Sequence, residues 1–336
     1  MAGNPTPREI VKGLLQGVAP PRPLFLPIVF SHAARVENMP LRSFLTNPTK
    51  ISNSLRQIRA RLRSDGITCY FDPFLEAEAL GAALQWDAED RPPSLHWPER
   101  IGLPESSGLP SASSGRVAVA IDVIRRLKAI VHDDCLLTAA VTGPFTLAAL
   151  FMQLDPRDSR SLAEIPASVL DLAAAIILGI ATAFVEAGAN VLFIREDFLP
   201  ALSPEDFDDW SSRLATTINV ARFYQALPVL LLTCKDAIAS NHQAIVQQPW
   251  DCVVCPVLEG IAQHRAAFSA MEPARLGIAL PPATFDPGLS PADDFDESLR
   301  QIVSDLRPAI LTTAGDVSAA ADMERLNKLW ENVRRS

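Results

Sequence analysis

The sequence lacks an apolar run long enough to span a bilayer. A spanning helix needs ~20 predominantly apolar residues, and the most lipid-like stretch, Leu172–Val185, is shorter and is closed by Asp171 and Glu186. It reads as a buried helix. Residues 1–16 mix charges with short apolar pairs and lack the core of a secretion signal. Cysteine is scarce: five in 336 residues, an odd number, do not make a disulfide framework and suit a reducing cytoplasm. No Gly-x-Gly-x-x-Gly follows any apolar run, which argues against a dinucleotide-binding half. Nor is there an excess of positive charge. The 30 Lys and Arg against 39 Asp and Glu leave a net charge of -9, which disfavours nucleic-acid or anionic-membrane partners.

What is present is a rhythm. Hydrophobic residues make up 48% of the chain, enough for a large core. Eight short runs recur: Leu24–Phe30, Ile67–Asp72, Leu136–Thr142, Asn190–Arg195, Pro228–Thr233, Asp251–Cys255, Arg275–Leu280 and Ala309–Thr313. Most lack strict alternation, as expected of parallel strands covered on both faces. Helical stretches lie between them. Asn47-Pro48, Ser203-Pro204 and Ser290-Pro291 open three of them as cap and first residue, Asp171 precedes Leu172–Ala187, and Gly188 stops that helix. Eight βα units predict a (β/α)8 TIM barrel, a single α/β domain over residues 1–336. Gln85–Gly115, with five prolines and a Ser/Gly-rich tail, departs from the rhythm. It is expected to be a loop excursion covering the barrel mouth.

In such a barrel, catalytic groups project from the C-terminal ends of the strands. That rule nominates His32 and Arg35 after the first run, Asp72 at the end of the second, and Arg195, Glu196 and Asp197 at the fourth. Cys234 and Lys235 follow the fifth run, and Thr313 with Asp316 the eighth. Asp72 closes an apolar run, where a carboxylate can serve as acid, base or anchor for a cation, or can simply cap the next helix. Arg35 can bind a carboxylate bidentately or pair with Glu37. Arg195, Glu196 and Asp197 form a substrate clamp or pair among themselves. Cys252 and Cys255 lie within one strand, where residues three apart face opposite ways, and Cys234 has no neighbouring His; no metal site is expected.

Several stretches resemble the uroporphyrinogen decarboxylase superfamily, which includes corrinoid-linked methyltransferases. They are Pro5–Pro20 with Phe25-Leu26-Pro27, Ser64–Thr68, and Asp72-Pro73-Phe74-Leu75-Glu76-Ala77-Glu78-Ala79-Leu80-Gly81. Thr142-Gly143-Pro144-Phe145-Thr146-Leu147, Ala187–Asn190 and Thr313-Ala314-Gly315-Asp316-Val317 complete the set, in order along the whole chain. The resemblance implies that Asp72 matches the decarboxylase aspartate that holds the pyrrole nitrogens. Of the decarboxylase arginines after the first strand only Arg35 carries over. Leu150 stands for a tyrosine, and Thr313-Ala314-Gly315 for the late Gly-His-Gly. The zinc-dependent methyltransferases carry His-x-Cys where this chain reads Leu232-Thr233-Cys234.

The reading that follows is a methyltransferase-like enzyme moving a methyl group between a small, mostly apolar substrate and a corrinoid held by a partner protein. Asp72 or Glu196 is expected to be the acid. His32, Arg35, Arg195, Lys235 and Thr313 are expected to bind substrate, with no cofactor held tightly by the chain itself. Two alternatives stay open: a decarboxylase of a porphyrinogen-like or other carboxylated substrate, and a non-catalytic barrel that binds a tetrapyrrole or a protein.

Overall fold

A computed structural model describes residues 5–97, 114–155, 164–233, 235–256, 268–269, 271–288 and 295–334, the side chains of 235–237 and 239 excepted. All eight predicted runs are strands of one parallel sheet: β1 (Leu24–Phe25), β2 (Gly66–Thr68), β5 (Leu136–Thr142), β6 (Val191–Glu196), β7 (Leu227–Leu232), β8 (Cys252–Pro256), β9 (Leu276–Leu280) and β10 (Ile310–Thr313). Their order is β1-β10-β9-β8-β7-β6-β5-β2, so the first two strands are the free edges that meet as the barrel curls round. Every residue of β6 and β7 is buried, which explains the unbroken apolar character of β7 and of Val191–Ile194 in β6.

The seam between β1 and β2 is closed mainly by side chains. Asp65 accepts the Phe25 N–H at 2.8 Å and a two-pronged ion pair from Arg22, at 2.7 and 2.8 Å. The Asp65 N–H reaches Phe25 O at 3.0 Å, and Thr68 Oγ1 donates to Pro27 O at 3.3 Å. Pro27 has no N–H, so a ladder cannot run through it. The predicted strand Leu24–Phe30 is therefore regular only over Leu24–Phe25.

The shell follows the cap signals with one correction. Asn47 caps Pro48–Leu62 through Lys50 N, and Ser203 caps Pro204–Phe223 through Asp206 N. Asp171 is not a cap: its helix begins earlier, spanning Ala167–Ala187, and Asp171 instead binds Arg213 from the first turns. This 21-residue helix is long and apolar enough to cross a membrane by composition. It is a barrel helix, burying Ile176, Ile177, Ile180 and Phe184. Gly188 ends it at φ 121°. Ser290-Pro291 lies outside the described residues.

The excursion after β2 contains a hairpin that the sequence reading took for loop: β3 (Ala83–Gln85) pairs antiparallel with β4 (Ser94–His96). Arg42 ties its turn to the barrel, binding Glu89 at 2.9 Å with its guanidinium over the Trp86 ring. Trp97 is buried edge-on against Phe151. Residues 98–113 lie outside the description, and the helix Gly115–Lys128 follows.

Candidate active site

A cavity of about 520 Å³ opens at the C-terminal ends of β1, β2, β9 and β10. Phe30, Phe71, Phe74, Leu41, Leu45 and Val317 give it an apolar surface. Asp90, Pro92 and Pro93 of the excursion line it too, and residues 98–113 of the excursion lie outside the described residues. Among the described residues its charged lining is entirely acidic: Asp72, Asp90, Asp286 and Asp316.

Asp72 stands on the β2 side of this wall with its side chain 4% exposed. Oδ1 accepts the Phe74 N–H at 2.8 Å, the turn-capping role open to it from sequence. Oδ2 pairs with Arg116 Nη1, so it also has a second partner that a cap does not need. Arg116 Nε holds Glu78 Oε2 at 2.5 Å, making one buried guanidinium the bridge between two carboxylates. Burial pulls the Arg116 guanidinium down, but Asp72, Tyr70 and Glu78 outweigh it and hold the group above its ordinary value. Sequence reasoning missed Arg116. The signal was its place beside Gly115 in the first turn of a helix, where a cation opposes the helix dipole and requires an acidic partner.

Asp316 faces the cavity from the β10 side. It accepts the Phe30 N–H at 2.7 Å and the Ser31 N–H at 2.8 Å, capping the helix Ser31–Val36 from the opposite strand end. Burial, with the nearby Asp72 charge adding to it, pushes its carboxyl up to about 6.

Glu196 does not line the cavity. It is fully buried beneath the N-terminus of the helix Pro144–Phe151. Four donors enclose it: Phe145 N at 3.0 Å, Thr146 N at 2.9 Å, Thr146 Oγ1 at 2.6 Å and Trp210 Nε1 at 3.1 Å. Burial nonetheless raises its carboxyl to about 7. The Thr142-Gly143-Pro144-Phe145-Thr146 motif is thereby explained. Pro144 occupies the first helical position, Thr146 supplies two donors, and a Cβ on Gly143 would overlap the Glu196 carboxyl. Glu76 makes the companion anchor, accepting Thr142 N at 3.0 Å and Thr142 Oγ1 at 2.8 Å, and burial raises it as well.

Arg195 pairs with Asp197 at 2.7 Å and lies over the Phe71 ring, 4.9 Å from its centroid. It backs a cavity residue and is not among the cavity's own lining. His32 Nδ1 lies 3.0 Å from Ala319 O, and burial lowers its pKa. Arg35 is exposed and reaches the same carbonyl at 3.5 Å; Glu37 pairs instead with Lys50. Thr313 is a strap, accepting the Ile28 N–H at 3.0 Å and donating to Gly315 O at 2.7 Å. Cys234 and the Lys235 side chain lie outside the described residues. Cys252 and Cys255 are buried free thiols pushed up by burial, far from thiolate reactivity. The structure thus brings Asp72 and Asp316 to one cavity and leaves His32, Arg35, Arg195, Glu196 and Thr313 around or behind it.

The sequence model of the family described as Uroporphyrinogen decarboxylase (URO-D) matches residues 6–255. The chain belongs to this family. Within it, a 138-residue stretch is 25% identical to the methylated-thiol–coenzyme M methyltransferase of Methanosarcina mazei, covering 38% of this chain and 35% of that protein. The match therefore spans about a third of the relative's length. The solved structure of a methyltransferase from Methanosarcina mazei superposes with a TM-score of 0.76 at 17% identity, covering 98% of both chains. A B12-independent methionine synthase from Shewanella sp. W3-18-1, in complex with selenomethionine, gives 0.53 at 12% identity over 85% of this chain and 87% of its own. At these identities the likeness to the two solved structures is one of fold, the TIM barrel.

Proposed function

We propose that the chain is a methyltransferase-like enzyme of the URO-D superfamily that moves a methyl group between a small, mostly apolar substrate and a corrinoid carried by a partner protein. The observation that carries this reading is the lining of the cavity. Its described surface is largely phenylalanine, leucine and proline with four aspartates and no cation, and of the two buried arginines behind it Arg116 is committed to Asp72 and Glu78 and Arg195 to Asp197. A porphyrinogen with many carboxylates would meet like charge along the described lining. Arg35, the one match to the decarboxylase arginines, is exposed and turned to a backbone carbonyl.

A cavity of about 520 Å³ suits a small molecule. It does not also hold a corrinoid macrocycle, so the corrinoid approaches the mouth on its own carrier. Within the site, Asp72 is the fixed anion, held by Arg116 and by the Phe74 N–H. Asp316, titrating near 6, replaces Glu196 as the group able to give a proton to a leaving group. Glu196 is a positioning residue that fixes the helix after β5.

The test is to incubate the purified chain with a reduced corrinoid and, in turn, methanol, methyl thioethers and methylated amines, following the visible spectrum of the corrinoid. A parallel incubation uses uroporphyrinogen and measures released CO₂. Methylation of the corrinoid with one donor class is the expected outcome. Release of CO₂ without any corrinoid methylation would refute the proposal in favour of a carboxy-lyase.

A further inference from the structure

We infer that the barrel flank formed by the helices Pro48–Leu62 and Gly115–Lys128 is a docking surface for an acidic segment of a partner protein, which seats an apolar side chain in the groove beside them. The charge of the chain is unevenly spread. Apart from the buried Arg116, these two helices and the capping Arg63 carry eight of the chain's 30 Lys and Arg but only one of its 39 Asp and Glu, Asp122. Three of the eight are paired: Lys50 with Glu37, Arg59 with Asp134 and Arg126 with Asp122. The other five, Arg56, Arg61, Arg63, Arg125 and Lys128, are exposed and form no ion pair among the described residues. A surface helix gains from acids set three or four residues from its bases, and like charges at those spacings repel. The helix Pro48–Leu62 has no acid at all, and Arg56, Arg59 and Arg63 recur at three and four. Folding gains nothing from that arrangement. An anionic partner relieves it.

The groove identifies the partner as a protein segment. It has a volume of about 600 Å³ and runs between the helix Pro48–Leu62 and residues 130–135. Ala60, Ile67, Ile130 and Val131 give it an apolar wall, and Ile130 is 41% exposed, one of few large apolar side chains left in water. Its own acids are already matched, Glu37 by Lys50 and Asp134 by Arg59, which leaves Arg56 as the guanidinium free to pair. An apolar wall beside uncommitted cations suits carboxylates flanking an apolar anchor. Phosphate chains gain nothing from Ile130 and Val131, and the acidic remainder of a chain of net charge -9 repels a long polyanion or an anionic membrane. The groove shares no lining residue with the acidic cavity, so a partner here and a substrate there touch different side chains.

The experiment is fluorescence anisotropy on the full-length chain with labelled peptides built from Asp and Glu around a central Leu-Phe pair. Comparison peptides replace the pair by Ser-Ser, or every acid by Lys, and a single-stranded DNA oligonucleotide of equal length is the polyanion without an anchor. The anchored acidic peptide should bind about ten-fold or more tightly than either comparison peptide and than the DNA, and should weaken as salt is raised. Arg56→Glu with Arg125→Glu, two exposed changes that break no ion pair, should weaken it about ten-fold or more. Arg307→Glu, in the turn after the helix Phe295–Leu306, should leave it within about two-fold, since a distant exposed charge is screened. Ile130→Ser should bring the anchored peptide down to the Ser-Ser one and leave the latter unchanged. Thermal melting of each variant confirms that it is folded. Tighter binding of the DNA, equal binding of the anchored and Ser-Ser peptides, equal effects of the flank and Arg307 reversals, or no peptide binding at millimolar concentration and low salt would each overturn the inference.

Discussion

Replacing Arg116 by Gln would strand a carboxylate. Asp72 is 4% exposed and Arg116 7% exposed, so the pair is sealed from solvent, whereas Glu78 at 29% can turn to water. Removing one partner of a buried pair costs about 3–5 kcal/mol, since the other charge is left in low dielectric. A chain of 336 residues unfolds with an entropy of roughly 0.7 kcal/mol/K. The expected loss is therefore a Tm about 4–7 °C lower for Arg116→Gln. Asp72→Asn alone should cost less, because the amide still accepts the Phe74 N–H and Arg116 keeps Glu78. The double variant, an amide facing an amide, should be more stable than the sum of the singles by at least ~1 kcal/mol. Acid should narrow the gap between Arg116→Gln and the parent, because protonation removes the stranded charge. The assay is thermal denaturation for Tm, with urea denaturation for the cycle free energies, of the four proteins at pH 7 and pH 5. A Tm change below about 1.5 °C, or strict additivity in the cycle, would refute the assignment of Asp72 and Arg116 as a buried pair.

Glu196 predicts a pH dependence of opposite sign to the usual carboxylate. A carboxyl near 7 in the fold and near 4.5 when unfolded binds its proton more tightly in the native state. Stability is then greatest below pH 4.5 as far as this group is concerned and falls as pH rises through 7, by about 3 kcal/mol at most. The urea midpoint should drop between pH 5 and pH 7.5, Asp316 acting in the same direction, and a rising midpoint would contradict the burial of both. Gly143→Ala should destabilise by about 1–3 kcal/mol or more, because its methyl meets the Glu196 carboxyl, and near-parental stability in thermal denaturation would show that the helix after β5 sits farther from β6 than described.

The strands were legible because each is an apolar run covered on both faces, as at Val191–Ile194 and Leu227–Leu232. Helix starts at Asn47 and Ser203 were legible because a cap acts over three residues. What the sequence concealed is pairing at a distance. Arg116 finds Asp72 across 44 residues and Glu196 finds Thr146 across 50, and neither separation leaves a local pattern. Glu196 read as an acid because it ends a strand, yet the same position lets it serve the neighbouring helix end. Asp316 was visible only as one of several strand-end polar residues. The hairpin Ala83–His96 hid within a proline-rich segment whose composition signals loop.

The side-chain seam between β1 and β2 bears on how such a site can be retuned. Phe30 and Ser31 stand on one side of it and Phe71 to Phe74 on the other, so the cavity straddles the one barrel junction without a continuous ladder. Elsewhere the spacing of strands is dictated by main-chain hydrogen bonds at about 4.8 Å and is indifferent to residue type. Here it is set by the reach of Asp65 to the Phe25 N–H and of Thr68 to Pro27 O. Point substitutions at positions 65 and 68 become adjustments of cavity width. An engineer wishing to admit a bulkier substrate could work from the floor of the barrel and leave the acidic rim untouched.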